Sequence, residues 1–300
     1  MSPQSVPHPT EPGLAGLVAA LRWHLRRKIA SPQSGRHPGR QAGPDGPLRD
    51  LVPLIRHPDP RRIDLMRSIL APDGMAQVRR FAWPARVVVH IVVDLSASIG
   101  AAGHSDRHRI AALLAGALAS AAAPGGDGWA LWLARGAGVT QLHPPSRRVP
   151  DADELAEAIS ACPPQGQGCD GLIALAGAIP RTRTLTILIS DCEFPAPELE
   201  VILTAFSGHA LIPVWLRDSG FERPPALPRN LPRLWRPRDP ETGRARTALL
   251  TPASAHAATE AATAARAALR ATFARHGHPP VEVLDHIDAL HFAAELAGPR

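Results

Sequence analysis

From Arg86 to the end of the chain, short apolar runs alternate with longer stretches of helical periodicity. The apolar runs are nearly continuous, as in strands buried on both faces of a parallel sheet. They predict strands at Val87–Val93, Trp129–Leu133, Val139–Leu142, Thr184–Ser190 and Ala210–Leu216. The intervening stretches predict helices at Arg107–Ala123, Asp151–Ala161, Gly171–Ile179, Pro197–Phe206 and Ala255–Gly277. This alternation predicts an α/β fold with a doubly wound, mostly parallel sheet and helices on both faces.

The segments on either side of this pattern are less regular. Apolar residues between Gly13 and Ala30 have the spacing of an amphipathic helix, whereas residues 31–49 are too rich in proline and glycine for a helix or a central strand. Further along the chain, we expect irregular structure at Pro224–Pro237 and a turn between two strands at Asp239–Gly243. We expect a strand, a turn and a helix within Val281–Ala297. We therefore expect an N-terminal extension (1–85), a core (86–220) and a C-terminal part that completes the domain (221–300).

Composition and charge narrow the class of protein. The formal net charge of +6 arises within residues 1–62, and the basic residues are not interleaved with aromatic ones, so nucleic-acid binding is not expected. No run reaches the roughly 18 apolar residues of a membrane span. Residues 1–12 lack a charged-then-apolar leader, so we expect a cytoplasmic protein. Cys162, Cys169 and Cys192 have no paired spacing, which favours free thiols over disulfides or a zinc site.

Oxygen-bearing side chains follow two of the predicted strands. Asp94, Ser96 and Ser98 come after the first strand, and Asp191 follows the strand that ends at Ser190. In an open parallel sheet, functional groups gather at the carboxyl ends of the strands where the strand order reverses. Because alternate residues of an extended segment project to one side, the side-chain oxygens of Asp94, Ser96 and Ser98 can converge. Hard oxygen donors of this kind suit Mg²⁺ or Mn²⁺. The sequence therefore predicts a hard-cation site at this edge.

An enzyme is the alternative use of the same edge. Phosphatases of the haloacid dehalogenase type also place an aspartate after a parallel strand, which leaves a metal-dependent phosphatase or hydrolase as the second hypothesis. Such an enzyme needs another aspartate two residues further on to act as general acid, and that position is Ser96. The chain also lacks a G-x-S-x-G nucleophile elbow and a G-x-x-x-x-G-K-[ST] phosphate loop. These features favour a non-enzymatic protein.

The motif from Asp94 to Ser98, with a later strand-end aspartate at Asp191, resembles the metal-ion-dependent adhesion site of von Willebrand factor A domains. The resemblance implies that the two serines ligate the ion, that the two aspartates act through water, and that a partner's carboxylate completes the coordination. In that family a third loop supplies a threonine, and here Cys169 stands at that position. A thiol is a poor ligand for Mg²⁺, so an oxygen in this loop would have to come from Asp170.

A second motif lies upstream, in the segment from Leu54 to Leu65, and we call the part from Arg56 to Asp64 the Arg/Asp box. It is similar to the box that precedes the von Willebrand domain in bacterial proteins encoded beside MoxR-type AAA+ ATPases, and the likeness runs from about Arg36 to Leu296. We expect its arginines and aspartates to form ion pairs that pin the extension against the sheet, with bidentate binding of an acidic partner as the alternative.

The combined resemblance implies a function without catalysis. It implies a metal-dependent interaction adaptor that acts with a MoxR-type AAA+ ATPase in the assembly, maturation or metal insertion of a client complex. The chain is similar to the branch of the family without membrane helices before the box. That branch includes the MxaS-type proteins of methanol oxidation clusters, which implies methanol dehydrogenase as a client.

Overall fold

The computed structural model describes residues 15–21, 48–81, 87–125, 127–181, 184–225, 227, 231–236 and 244–297. The chain divides into two compact units, one made of Met1–Ile29 and Val87–Arg300 and the other of Ala30–Arg86. Within the described ranges, no helix combines the length and the apolar character needed to cross a membrane.

The helices and strands are numbered in chain order. The helices are α1 (residues 15–21), α2 (Leu65–Ile69), α3 (Arg107–Ala122), α4 (Ala152–Ser160), α5 (Asp170–Ala178), α6 (Ala196–Ala205), α7 (Ser219–Glu222), α8 (Pro252–Arg275) and α9 (Ala289–Ala297). The strands are β1 (Leu48–Pro53), β2 (Gln77–Phe81), β3 (Val88–Asp94), β4 (Gly128–Arg135), β5 (Gly138–Ser146), β6 (Thr184–Ser190), β7 (Leu211–Arg217), β8 (Arg233–Trp235), β9 (Ala248–Leu250) and β10 (Val281–Leu284).

A six-stranded sheet with the order β10-β7-β6-β3-β4-β5 forms the centre of the first unit. All neighbouring strands are parallel except β4 and β5, which are antiparallel. The chain runs from β3 outwards through β4 to β5, and then returns to the other side of β3 with β6. The predicted doubly wound, mostly parallel α/β fold is confirmed.

Apolar residues cover both faces of this sheet. On one face, α3, α4, α9 and three residues of α1 pack against alternate residues of the strands such as Val89 and Ile91. On the opposite face, α5, α6 and Phe273 of α8 pack against Val92 and Leu188. Strands that are covered on both faces need apolar residues at consecutive positions, which is why the runs in the sequence are nearly unbroken.

Helix α3 begins near the carboxyl edge of the sheet, where its first residue, Arg107, contacts Asp191. It begins after Asp106, whose carboxylate accepts a hydrogen bond of 2.9 Å from the backbone N–H of Arg109. Its alanine-rich sequence has high helix propensity, and thirteen of its residues are buried. The helix therefore starts at a fixed position, with Arg107 as its first residue.

The second unit contains the antiparallel pair β1 and β2. Asp64 of the Arg/Asp box is buried, caps α2 through the backbone N–H of Arg67, and accepts a 2.9 Å hydrogen bond from Arg79 Nε. Arg62 Nε pairs with Asp59 at 3.1 Å. These two ion pairs of the box lie within the second unit itself.

Two predictions of local structure are wrong, and one predicted strand is longer in the structure. Residues 48–49 were expected in a loop but belong to β1, and the segment Pro224–Pro237, expected to be irregular, contains β8. Both short strands form because an antiparallel partner, β2 or β9, supplies the backbone hydrogen bonds. The strand expected at Val139–Leu142 is longer, because it pairs with β4 and extends to Ser146. The predicted turn at Asp239–Gly243 and most of the helix expected between Gly13 and Ala30 lie outside the described residues.

Candidate functional site

The strand order reverses between β3 and β6, and two aspartates lie at the carboxyl ends of these strands. Asp94 is the last residue of β3, and Asp191 follows the last residue of β6. The two strands pair in parallel from Val88 and Thr184 to Val93 and Ile189. A crevice outside the strand ends at such a reversal is the usual place for ligand binding in open α/β sheets.

Asp94 is buried and held by two hydrogen bonds. Its Oδ1 accepts from the backbone N–H of Ser96 at 3.1 Å, and its Oδ2 accepts from the Ser190 hydroxyl at 2.8 Å. Burial, reinforced by the nearby charge of Asp191, raises the pKa of Asp94 to about 7. The carboxyl group is therefore fixed in place and lies close to a second carboxyl group that competes with it for ionisation.

The two serines of the motif lie side by side. Ser96 and Ser98 are both buried, and their hydroxyl oxygens are 3.0 Å apart. A 3₁₀ turn at Ala97–Gly100 brings them together, and the backbone N–H of Gln165 donates to the Leu95 carbonyl at 2.9 Å to hold the loop. Octahedral Mg²⁺ with ligands at 2.0–2.1 Å holds neighbouring oxygens about 2.9 Å apart. The spacing of the hydroxyls therefore fits two adjacent ligands of such an ion.

Asp191 forms a buried ion pair that the sequence analysis missed. Arg107 Nη1 lies 3.1 Å from Asp191 Oδ2, and Arg107 Nη2 donates a 2.6 Å hydrogen bond to the Ser98 carbonyl. Both side chains are almost fully buried, at 3% and 1% exposed. Burial raises the pKa of Asp191, and the Arg107 guanidinium opposes that rise. The available signal was a basic residue at the start of a helix, where the helix dipole disfavours positive charge.

Asp218 was also missed, although it too follows a strand of the same sheet, β7. Its carboxylate accepts from the backbone N–H groups of His104 and Ser105 at 2.9 and 2.8 Å, and from that of Gly220 at 2.7 Å. Burial on its own raises the pKa of Asp218, but the bonds from His104 and Ser105 outweigh it, and the pKa lies below its usual value. Asp218 thereby fixes the loop that leads into α3.

The third loop, which holds Cys169 and Asp170, contributes less to the candidate site. Cys169 is buried at the start of α5, and burial, reinforced by Glu198, raises the pKa of its thiol to about 11. A thiol with this pKa is protonated at neutral pH and is not the thiolate that metals prefer. Asp170 is exposed, and among the described residues no hydrogen bond or ion pair joins its side chain to Asp94, Asp191 or the two serines.

Asp94, Ser96, Ser98 and Asp191 are thus joined through shared contacts, whereas Cys169 and Asp170 stand apart from them. In the part of the chain that the structure describes, no group of three or more His, Cys, Asp or Glu side chains is arranged to hold a metal. A cation at this edge would depend on the serine hydroxyls. Two carboxylates and two hydroxyls are hard oxygen donors of the kind that suit a divalent ion, and one of the carboxylates, Asp191, is already paired with Arg107.

Comparison with known proteins gives the family. The model of the family described as "Protein of unknown function DUF58" matches residues 59–268, which is more than half of the chain, and the chain belongs to this family. A curated relative from Paracoccus denitrificans, "Uncharacterized protein in moxR 3'region", is 43% identical over 110 residues, which are 36% of this chain and 100% of the relative.

Two solved structures show a weaker likeness. The conserved hypothetical protein BatB from Bacteroides thetaiotaomicron is 17% identical with a TM-score of 0.43, over 71% of this chain and 100% of that one. An aerotolerance-related membrane protein from Bacteroides fragilis NCTC 9343, with multiple mutations to serines, is 15% identical with a TM-score of 0.39, over 70% of this chain and 96% of that one. The fold assignment rests instead on the strand order and pairing given above.

Proposed function

From this family membership and the geometry of the sheet edge, we propose that the chain is a von Willebrand factor A-type adaptor that works with a MoxR-type AAA+ ATPase on a client complex. The ATPase is proposed because the relative from Paracoccus denitrificans is described by its position in the moxR 3' region. The strand order, with its reversal between β3 and β6, supports the von Willebrand type. Because the ATPase works where ATP is available, we propose a cytoplasmic location.

The observation that carries the proposal is the buried set of Asp94, Ser96, Ser98 and Asp191 at the reversal point. The serine hydroxyls would hold Mg²⁺ or Mn²⁺ directly, and the two aspartates would support it. A bound ion would supply an open coordination position for a carboxylate of the partner protein. The role of the chain itself is to keep these oxygens in place, through Ser190 on Asp94 and the loop contact between Gln165 and Leu95.

We propose that the chain contributes recognition and no catalysis. Each oxygen of Asp94 already accepts a hydrogen bond from the protein, and the residue two positions on is Ser96, which has no acidic proton to give. An adaptor can drive a change in its client only by binding one state of it more tightly than another. The ATPase would therefore supply the energy, and this chain would select the state of the client.

Affinity capture tests the proposal directly. Tagged wild type, Asp94→Asn and the control Asp153→Ala, an exposed aspartate of α4, are incubated with a MoxR-type ATPase from the same organism, in Mg²⁺ or EDTA. We expect wild type and Asp153→Ala to retain the ATPase in Mg²⁺ and to lose it in EDTA, and folded Asp94→Asn to lose it in both. Equal capture by all three proteins would contradict the proposed use of this edge.

Two further measurements separate the alternatives. Turnover of generic phosphate esters with Mg²⁺, absent in Asp94→Asn, would support an enzyme and contradict the adaptor. For the client, the resemblance to MxaS-type proteins makes methanol dehydrogenase the first candidate to add to the capture experiment. Its retention together with the ATPase would support that assignment.

A further inference from the structure

Arg107 occupies a position where an arginine is normally unfavourable. It is the first residue of the 16-residue helix α3, where the positive end of the helix dipole repels a cation. It is also only 3% exposed, and transferring a charge out of water is costly unless the charge is paired. Its Nε has no hydrogen-bond partner among the described atoms. A cation that is both buried and located at the positive end of a helix dipole must be held there by strong contacts.

Those contacts come from the candidate metal site. One nitrogen of the guanidinium pairs with Asp191, and another donates to the carbonyl of Ser98, which is also one of the candidate ligands. The Phe221 ring lies against the guanidinium at 4.7 Å from its centroid. Asp218 fixes the preceding loop through His104 and Ser105. The fold thus delivers one built-in positive charge to Asp191, one of the two buried carboxylates of the candidate site.

We propose that Arg107 is the resident cation of this sheet edge, and that a divalent ion binds there in competition with Arg107 for Asp191. The inference rests on the proposed metal-dependent function and goes further, because it names the residue that sets the affinity for the ion. A divalent ion and a guanidinium within one buried cluster repel each other. The ion therefore gains full use of Asp191 only when Arg107 withdraws.

The surroundings of Arg107 offer a route for this withdrawal. Phe221 contacts the buried guanidinium and is itself 46% exposed, so the residue that Arg107 stacks on also reaches solvent. A guanidinium can remain stacked on an aromatic face while it loses its carboxylate partner. Without a metal, Arg107 neutralises Asp191. With a metal, the ion takes over that role and Arg107 moves outwards along the ring.

Binding of Mn²⁺ alone tests the inference. Calorimetry and the electron paramagnetic resonance signal of free Mn²⁺ are compared for wild type, Arg107→Gln, Arg107→Lys and the control Arg109→Gln, an exposed arginine two positions along α3. Removing the competing charge should tighten Mn²⁺ binding by about tenfold or more in Arg107→Gln. Arg107→Lys should also bind more tightly than wild type, because one ammonium group cannot bridge Asp191 and the Ser98 carbonyl as a guanidinium does. Arg109→Gln should match wild type.

The inference is overturned if every folded Arg107 variant binds Mn²⁺ no more tightly than wild type, including the case in which none binds it. If circular dichroism shows that Arg107→Gln does not fold, the result for Arg107→Lys decides whether the inference holds. The lysine variant is the safer one for folding, because its ammonium group still provides a cation beside the buried Asp191. Failure of the adaptor function has a different readout, namely capture of the ATPase that does not depend on Asp94. Tighter Mn²⁺ binding in the Arg107 variants would stand even then.

Discussion

The pair formed by Arg107 and Asp191 is nearly removed from water, and its two members depend on each other. Replacing Asp191 by alanine leaves the guanidinium buried without its counter-charge, which should lower the free energy of unfolding by about 3–5 kcal/mol. Replacing both residues, as Asp191→Ala with Arg107→Met, removes the stranded charge and should recover part of that loss. Urea unfolding of the single and double variants measures the difference. A double variant as unstable as the sum of the two single variants would contradict this coupling.

The titration of His90, a residue outside the candidate site, should make the stability of the fold depend on pH. It is buried in β3, and its Nδ1 accepts a 3.0 Å hydrogen bond from Trp132 Nε1, which requires that nitrogen to be unprotonated. Burial, with a smaller effect of His209, lowers the pKa of His90 from 6.5 to about 4. Between these two pH values the unfolded chain binds a proton that the folded chain does not, so stability is lost as the pH falls.

The size of this effect is roughly 3 kcal/mol between pH 6.5 and pH 4. Urea unfolding at several pH values measures this contribution as a difference between variants, because Asp94, whose raised pKa favours the folded state as the pH falls, titrates over the same range in every variant. Wild type and the control His256→Gln, whose side chain is 78% exposed, should have the same pH profile. His90→Gln has no group to titrate at this position and should lose roughly 3 kcal/mol less over the same range. Parallel pH profiles for all three proteins would contradict the assignment.

At the scale of the elements, two helical glycines should respond in opposite ways to alanine. A Cβ on Gly116 of α3 would lie 2.3 Å from the backbone carbonyl of Ala152 in α4, so this substitution forces the two helices apart. A Cβ on Gly177 of α5 meets nothing within 4 Å. Alanine is favoured over glycine in a helix by about 0.8–1 kcal/mol. We expect Gly177→Ala to raise the melting temperature and Gly116→Ala to lower it, measured by circular dichroism.

Gly116→Ala isolates the packing of α3 on α4, because helix propensity alone would make the substitution stabilising. Overpacking of this kind typically costs about 1–3 kcal/mol. If both glycine substitutions stabilised the protein equally, the close approach of α4 to α3 would not hold in solution.

The loop between β3 and α3 depends on Asp218 at the end of β7. Asp218→Ala removes the acceptor for the backbone N–H groups of His104 and Ser105. Hydrogen bonds to charged groups contribute about 1.5–3 kcal/mol, so these two amides should exchange with deuterium at least tenfold faster. Asp288 accepts from the N–H groups of Leu290 and His291 and is the matched control. Asp288→Ala should speed exchange at α9 and leave the β3–α3 loop unchanged, whereas protected amides in Asp218→Ala would contradict the role of Asp218.

At the scale of the whole molecule, parallel strands made half of the candidate site predictable from the sequence. Asp94 and Asp191 each end an apolar run, and the ends of parallel strands share one edge of a sheet, so their proximity follows from the pattern. The partner of Asp191 does not follow, because Arg107 lies 84 positions away and belongs to a helix whose start decides where its side chain points. The pairing of β1 with β2 was missed for a similar reason, since it joins residues about 30 apart, such as Asp50 and Arg80.

Residues far from the sheet in sequence also complete its core. Leu21 of α1 is fully buried in the same cluster as Val89 and Leu118, although the whole of the second unit separates it from them along the chain. Leu21→Ala should therefore lower the free energy of unfolding by about 2–5 kcal/mol, the usual cost of such a cavity. The control is Ile69→Ala in the second unit, whose side chain is 79% exposed and whose truncation should change stability by less than about 0.5 kcal/mol. Urea unfolding of both variants, monitored by tryptophan fluorescence, measures the difference between their free energies of unfolding. Equal stability of the two variants would mean that α1 does not pack on the sheet in solution.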